Sequence, residues 1–115
     1  MAEPNETFEI TSSSAGRITV VAVTGEIDMT TAPDLLRALE LVSDPSEGVV
    51  VDLRATTFLD SSGLNALLTG RRTLDERGIG LRVVVPEDNP VRRVFEITQL
   101  TESLSVVASL DEALA

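Results

Sequence analysis

Three short runs of mostly β-branched apolar residues constrain this chain more than any other feature: Arg17–Thr24 (RITVVAVT), Val49–Leu53 (VVVDL) and Leu81–Val85 (LRVVV). Val49–Leu53 and Leu81–Val85 are typical of buried parallel strands, and Arg17–Thr24 reads as a strand on its β-branched content. Between them lie stretches with apolar residues at helical spacing, each opened by a start signal. Thr31-Ala32-Pro33-Asp34 offers a capping threonine, a proline in the first turn and an acid at the capping-box position, followed by Leu35, Leu36, Leu39 and Val42 on one face. Asp60-Ser61-Ser62-Gly63 opens a helix with Leu64, Leu67, Leu68 and Leu74 on its face, and Gly78 is placed to end it. Asn89-Pro90 repeats the cap-then-proline signal ahead of Val91, Val94 and Phe95. Strands that alternate with helices predict an α/β fold with right-handed crossovers, here a mostly parallel mixed sheet of four to five strands with about four helices.

The remaining segments fit the same plan. Phe8–Thr11 alternates apolar and polar residues, as a short edge strand does, and Ser12–Gly16 reads as a turn. Gly25 to Asp28 is expected to end the first long strand. Ser43–Gly48 reads as a loop broken at Asp44-Pro45, Leu104–Val107 as a last short strand, and Ser109 to Glu112 as the capping box of a short final helix. No repeat, low-complexity tract or linker divides the 115 residues, so one domain is expected, with residues 1–7 a flexible N-terminus.

Composition narrows the chemistry. Histidine, cysteine, lysine and tyrosine are all absent, which removes most general bases and nucleophiles. No Ser-His-Asp triad and no imidazole or thiolate metal site can be built. There is no phosphate-binding glycine loop either, so no cofactor, no metal and no catalysis are expected. The formal net charge of −10 disfavours nucleic acid and anionic membrane surfaces and favours a partner with a basic patch. The first residues lack a basic stretch followed by an apolar one, and no apolar run reaches the roughly 20 residues of a membrane span. A cytoplasmic setting is the simplest expectation.

The segment Phe58–Leu68 (FLDSSGLNALL) carries the most chemistry. It places the hydroxyls of Ser61 and Ser62 at a helix N-terminus. One of them can simply cap the helix. Yet two adjacent serines exceed what one cap needs. Gly63 gives up roughly 1 kcal/mol of helix propensity relative to alanine, and so leaves room for a close approach. Free N–H groups and the helix dipole suit a phosphate there. Asp60 adjoins Ser61. Asp28 leaves the end of a neighbouring strand, where it can serve as a turn acid or share an edge with Asp60. A phosphate beside these carboxylates would add about −1.5 to −2 charges.

In the order and spacing of GEID (Gly25–Asp28), TAPDL (Thr31–Leu35), VVVDL, FLDSSGL and SLDEAL, the sequence resembles the STAS-domain anti-sigma factor antagonists of bacterial partner-switching systems. The resemblance runs from Phe8 to about Leu114. It implies that Ser61, the serine directly after the aspartate of D-S-S-G, is phosphorylated by the anti-sigma factor. That kinase brings its own ATP and magnesium. The unphosphorylated antagonist would bind it and free a sigma factor, and a PP2C-type phosphatase would reset the switch. The resemblance further implies that Asp28 contacts the kinase and that Asp60, Ser62 and Gly63 shape the same surface. It leaves two other readings open: a STAS module of another signalling complex, stressosome-like or sensor-linked, or of a transport system. Oligomeric state is left between monomer and weak dimer. One position departs from the pattern, since Gln99-Leu100 stands where the family often has glycine-leucine after its third helix.

Overall fold

A computed structural model describes residues 8–43 and 46–115. Its elements, in chain order, are β1 (Glu9–Ala15), β2 (Ile18–Ile27), α1 (Ala32–Glu40), β3 (Gly48–Leu59), α2 (Ser61–Glu76), β4 (Gly80–Val84), α3 (Pro90–Ile97), β5 (Val106–Val107) and α4 (Leu110–Leu114). The five strands lie side by side in sequence order, β1 antiparallel to β2 and every later pair parallel. The expected mixed α/β architecture is therefore the observed one. The expected flexible N-terminus and the break at Asp44-Pro45 fall outside the described residues.

Sequence-order strands have a consequence for layering. Right-handed crossovers that always step in one direction place successive helices on one face of the sheet. α1, α2 and α3 accordingly bury Leu35, Leu39, Leu67, Leu74, Val91 and Phe95 against Val21, Val23, Val49, Val51, Leu53 and Val83. The alternate strand residues, Val20, Val50 and Val84, point to the other face, where the short α4 covers them with Ala113. Past α4 that face is polar. Asp52 is buried there, and Arg54, two residues along on the same side of β3, grips its carboxylate with Nε at 3.0 Å and Nη2 at 2.9 Å. The pair explains how a carboxylate sits inside an otherwise apolar strand.

Several boundaries differ from expectation. The serines of the expected turn at Ser12–Gly16 instead belong to β1, which runs to Ala15 and turns at Gly16. Nor does β2 end at Gly25; it continues to Ile27, and β3 continues past Leu53 to Leu59. β4 pairs with β3 only as far as Asp52, and β1 pairs with β2 only as far as Thr24. Residues 25–27 and 56–59 thus pair only with each other and form a two-stranded arm reaching past the body of the sheet. Two register shifts help build it, between Ala22 and Thr24 and between Gly25 and Glu26. At the first, the buried Thr56 hydroxyl donates to the Val23 carbonyl at 2.9 Å, so a side chain replaces a ladder bond. Asn89, the N-cap of α3, turns its amide toward the outer edge of β3 and donates to the Thr56 carbonyl at 3.2 Å.

Candidate functional site

The arm ends at the site. Ile27 and Leu59 are register partners, and the Asp60 N–H donates to the Ile27 carbonyl at 3.2 Å. Asp28 and Asp60, the residues that follow, therefore leave the same end of adjacent parallel strands, as the sequence suggested. Asp60 starts a helix and Asp28 the turn that leads into one, and each does so with a single carboxylate oxygen.

Asp60 Oδ1 accepts from the Ser62 N–H at 2.9 Å and from the Gly63 N–H at 3.3 Å. Its extended backbone is that of an N-cap. Asp60, rather than a serine, caps α2, which settles the bland alternative for Ser61. Ser61 occupies the first helical position with its side chain exposed, and its hydroxyl makes no hydrogen bond among the described residues. Ser62 is half-buried on the neighbouring wall of the helix.

Asp28 performs the equivalent task for the turn at residues 29–31 that leads into α1. Its Oδ1 accepts from the Thr30 and Thr31 N–H groups at 3.0 and 3.1 Å. The Thr31 hydroxyl accepts from the Asp28 N–H at 2.9 Å in return, and its oxygen, as donor, lies 2.8 Å from the Glu26 carbonyl oxygen and 3.2 Å from Asp28 Oδ1. This is a reciprocal capping box one turn ahead of the expected Thr31–Asp34 box. Thr31 caps nothing with its side chain in the expected manner, because the chain already turns helical at Asp28. The Thr31 N–H is the main reason the Asp28 carboxyl is held below its ordinary pKa; the Thr30 N–H and Thr31 hydroxyl reinforce it, and partial burial opposes it. Among the described residues, Oδ2 of both aspartates accepts no hydrogen bond, so a carboxylate oxygen of each is left for a partner.

Gly63 is buried, and the close approach it allows is internal. A Cβ there would lie 2.3 Å from Leu59 Cδ1 and 2.9 Å from Ile27 Cγ2. It shapes the surface from beneath by seating the start of α2 on the last residues of β2 and β3. A second glycine, Gly70, lets α2 meet α1 in the same way, with Leu39 Cδ1 2.4 Å from the position a Cβ would take. Sequence reasoning did not single out Met29 and Phe58, which flank the site with 78% and 47% of their surfaces exposed. Their signal was present: large apolar residues directly beside the two site aspartates.

The family model for the STAS domain matches residues 9–113. The chain belongs to the STAS domain family. An anti-sigma-B factor antagonist of Listeria monocytogenes is 34% identical over 104 residues, 89% of each chain. The anti-sigma-F factor antagonist RsfB of Mycobacterium tuberculosis is 30% identical over 111 residues, 95% of this chain and 88% of that one. The crystal structure of an anti-sigma factor antagonist from Mycobacterium paratuberculosis, 33% identical, superposes with a TM-score of 0.83 over 99% of this chain and 96% of its own. The chain thus places an exposed serine with no capping duty directly after Asp60, at the end of the two-stranded arm from which Asp28 also leaves. None of the described helices is long and apolar enough to cross a membrane.

Proposed function

We propose that this STAS domain is an anti-sigma factor antagonist switched by phosphorylation of Ser61. The observation that carries the reading is the division of labour at the start of α2. Asp60 caps the helix, so the Ser61 hydroxyl is exposed and has no structural duty to lose. Such a serine suits the role of acceptor rather than nucleophile, since no histidine or lysine exists to activate it. The family relatives named as anti-sigma factor antagonists support the same reading.

In this mechanism the unphosphorylated surface around Asp28, Asp60 and Ser62 binds an anti-sigma factor that is itself a serine kinase. The γ-phosphoryl group of ATP passes to the Ser61 oxygen, with ATP and magnesium held by the kinase. The hydroxyl proton leaves to a base on the kinase, and ADP is the other product. The modified serine carries about −1.5 to −2 charges beside two carboxylates. Enclosing that charge in an interface costs several kcal/mol, and 1.4 kcal/mol is tenfold in affinity, so a loss of roughly a hundredfold or more follows. A PP2C-type phosphatase restores the hydroxyl, and the exchange takes place in the cytoplasm.

The test is to incubate the purified chain with candidate anti-sigma kinases of its own organism, ATP and magnesium, and to map phosphate by mass spectrometry. Phosphate on Ser61, and its absence from Ser61→Ala, is the expected result. Phosphate elsewhere only, or none with any such kinase, refutes the switch.

A further inference from the structure

Among the described residues, the sheet ends on one side at β5, two residues long, and on the other at β1, seven residues long. Long edges are usually guarded by a bulge, a proline or a lysine. β1 has none of these. Glu9 to Ala15 keep register with β2 without a shift, and Glu9, at the start, is the strand's only charged residue.

The hairpin fixes which backbone groups face outward. Ala15 and Ile18 close a two-residue loop, Gly16-Arg17, with Gly16 at φ +64°. Such a closing pair exchanges both its hydrogen bonds, and bonded and unbonded pairs then alternate along an antiparallel ladder. Glu9, Thr11 and Ser13 therefore bond inward to β2, while Ile10, Ser12 and Ser14 turn their N–H and C=O groups outward. The side chains of these same three residues share the face that carries α1, where Ile10 packs on the core. They border a groove of about 680 Å³ between β1 and α1, with Phe8, Ala38 and Leu41 among its apolar walls. α1 returns from the end of β2 to the start of β3, so it runs in the direction of β1. Leu41, 72% exposed, thus stands at the Ser14 end of the groove and Phe8 at the other.

An edge with free ladder groups beside an apolar groove accepts one more strand. β1 of a second copy meets the requirements. Turned over by a twofold axis at Ser12, the middle residue, it overlaps the whole strand. Ile10 then faces Ser14, Ser12 faces Ser12 and Ser14 faces Ile10, which gives about six hydrogen bonds. Glu9 lies across from Ala15, roughly 20 Å along the strand from the other Glu9, so like charges do not meet. Phe8 and Ile10 of the second copy arrive at the Leu41 end of the groove, and each copy covers the other in the same way. The two charges that line the groove, Asp34 and Arg37, are opposite in sign and do not repel a like copy.

We infer that β1 is a homodimerisation edge, through which two copies of this chain pair antiparallel at Ile10, Ser12 and Ser14 into one continuous sheet. The inference stands apart from the proposed switch, because the arm that bears Ser61 reaches past the paired span of β1. The formal charge of −10 on each copy opposes association at long range, so the dimer is weak and salt strengthens it.

Sedimentation equilibrium over a range of concentrations tests it, with far-UV circular dichroism to check each fold. The wild type is expected to rise from 12.3 kDa toward twice that mass, and to do so at lower concentration as salt is added. Ser12→Pro removes an outward N–H from each copy and spares the ladder to β2. Each lost bond is worth about two- to tenfold in affinity, so the dimer should weaken about tenfold or more. Ser12→Lys sets two ammonium groups face to face on the axis and should weaken it as much, although it lowers the net charge of each copy. Leu41→Asp should weaken it at least about threefold, while Ile97→Asp, an equally exposed position on α3, leaves it unchanged. A chain that stays at 12.3 kDa up to about 1 mM overturns the dimer. A dimer indifferent to both Ser12 variants, or weakened equally by Leu41→Asp and Ile97→Asp, overturns the β1 edge as its seam. None of these results touches the proposed switch, whose own test is phosphate on Ser61.

Discussion

Gly63→Ala tests whether the site is held by contact between helix and strand ends. The new Cβ would meet Leu59 Cδ1 at 2.3 Å, Ile27 Cγ2 at 2.9 Å and Leu59 Cγ at 3.2 Å. Leu59 can swing its terminal methyl, but it is 4% exposed and has no solvent to swing into. Ile27 is fully buried and branches at its β-carbon, so its Cγ2 moves only with χ1 or the backbone. Overpacking of this kind costs about 1–3 kcal/mol. Alanine regains up to about 1 kcal/mol of helix propensity, less in a first turn. The net is a loss of about 1–2 kcal/mol, or about 4–8 °C in the thermal midpoint for a domain of this size. Thermal unfolding followed by far-UV circular dichroism reads it directly. Gly80→Ala is the control, because its Cβ meets nothing within 4 Å, and its effect should stay within about 0.5 kcal/mol. Trimming the obstacle supplies the second arm. Leu59→Ala and Gly63→Ala together should cost less than the sum of the two, by about 1 kcal/mol. A Gly63→Ala protein as stable as the parent, or strict additivity with Leu59→Ala, would show that the close approach of α2 to Leu59 and Ile27 does not depend on the glycine.

Four further outcomes are expected. Asp60→Ala removes the cap of α2 and should cost about 1 kcal/mol, whereas Asp60→Asn keeps an accepting oxygen and should cost only a few tenths; chemical denaturation separates them, and equal losses would deny the capping role. Ser61→Ala should bind the kinase constitutively and Ser61→Asp poorly, with stability little changed in either because the hydroxyl has no partner; equal affinities in titration would refute the charge argument. The Asp28 carboxyl is held below its ordinary value of 3.8, so the unfolded chain binds the proton more readily and this contribution to stability is present above that value and lost as pH falls beneath it. Thr31→Val, which removes one of the donors, should flatten that acid limb in urea melts at successive pH values, and an unchanged profile would count against the box. Gln99 adopts φ +61° at the end of α3, so Gln99→Gly should raise stability by about 0.5–1 kcal/mol, and a loss in the melt would contradict the strain.

The order of strands and helices was readable because local signals and tertiary demand agree. Val49–Leu53 is buried on both faces, and Asn89-Pro90 and Ser109–Glu112 cap the helices they announce. Gln99 shows the same agreement from the other side, since the position where the family often has glycine is one whose backbone favours it. Reading failed where two neighbours could serve equally. DMTT and DSSG each hold more than one good capping residue, and local sequence does not say which. The choice falls to the strand exits, because the Asp60–Ile27 backbone bond fixes where the arm ends and delivers the aspartate, not the hydroxyl, to the cap. The arm itself was hidden for a related reason. Residues 54–58 lack a clean period of two, since the register shifts that carry β2 and β3 forward depend on Thr56 reaching a carbonyl 33 residues away in sequence.

The choice of cap matters more to the proposed switch than to the fold. Had Ser61 been the cap, a phosphate on its oxygen would have displaced the bond that starts α2, and modification would have altered the helix itself. With Asp60 in that place, the helix start is complete without the Ser61 hydroxyl, and under the proposed switch a phosphate on Ser61 would leave the cap intact. On that proposal the unmodified and modified forms would share one backbone and differ in charge at a single exposed oxygen. A partner can read that difference only by touching it. The Oδ2 atoms of Asp28 and Asp60, which accept no hydrogen bond among the described residues, are open to such a partner. If the proposed switch operates, the energy that separates bound from released states would then arise at the interface, from desolvating one phosphate, rather than from refolding the arm.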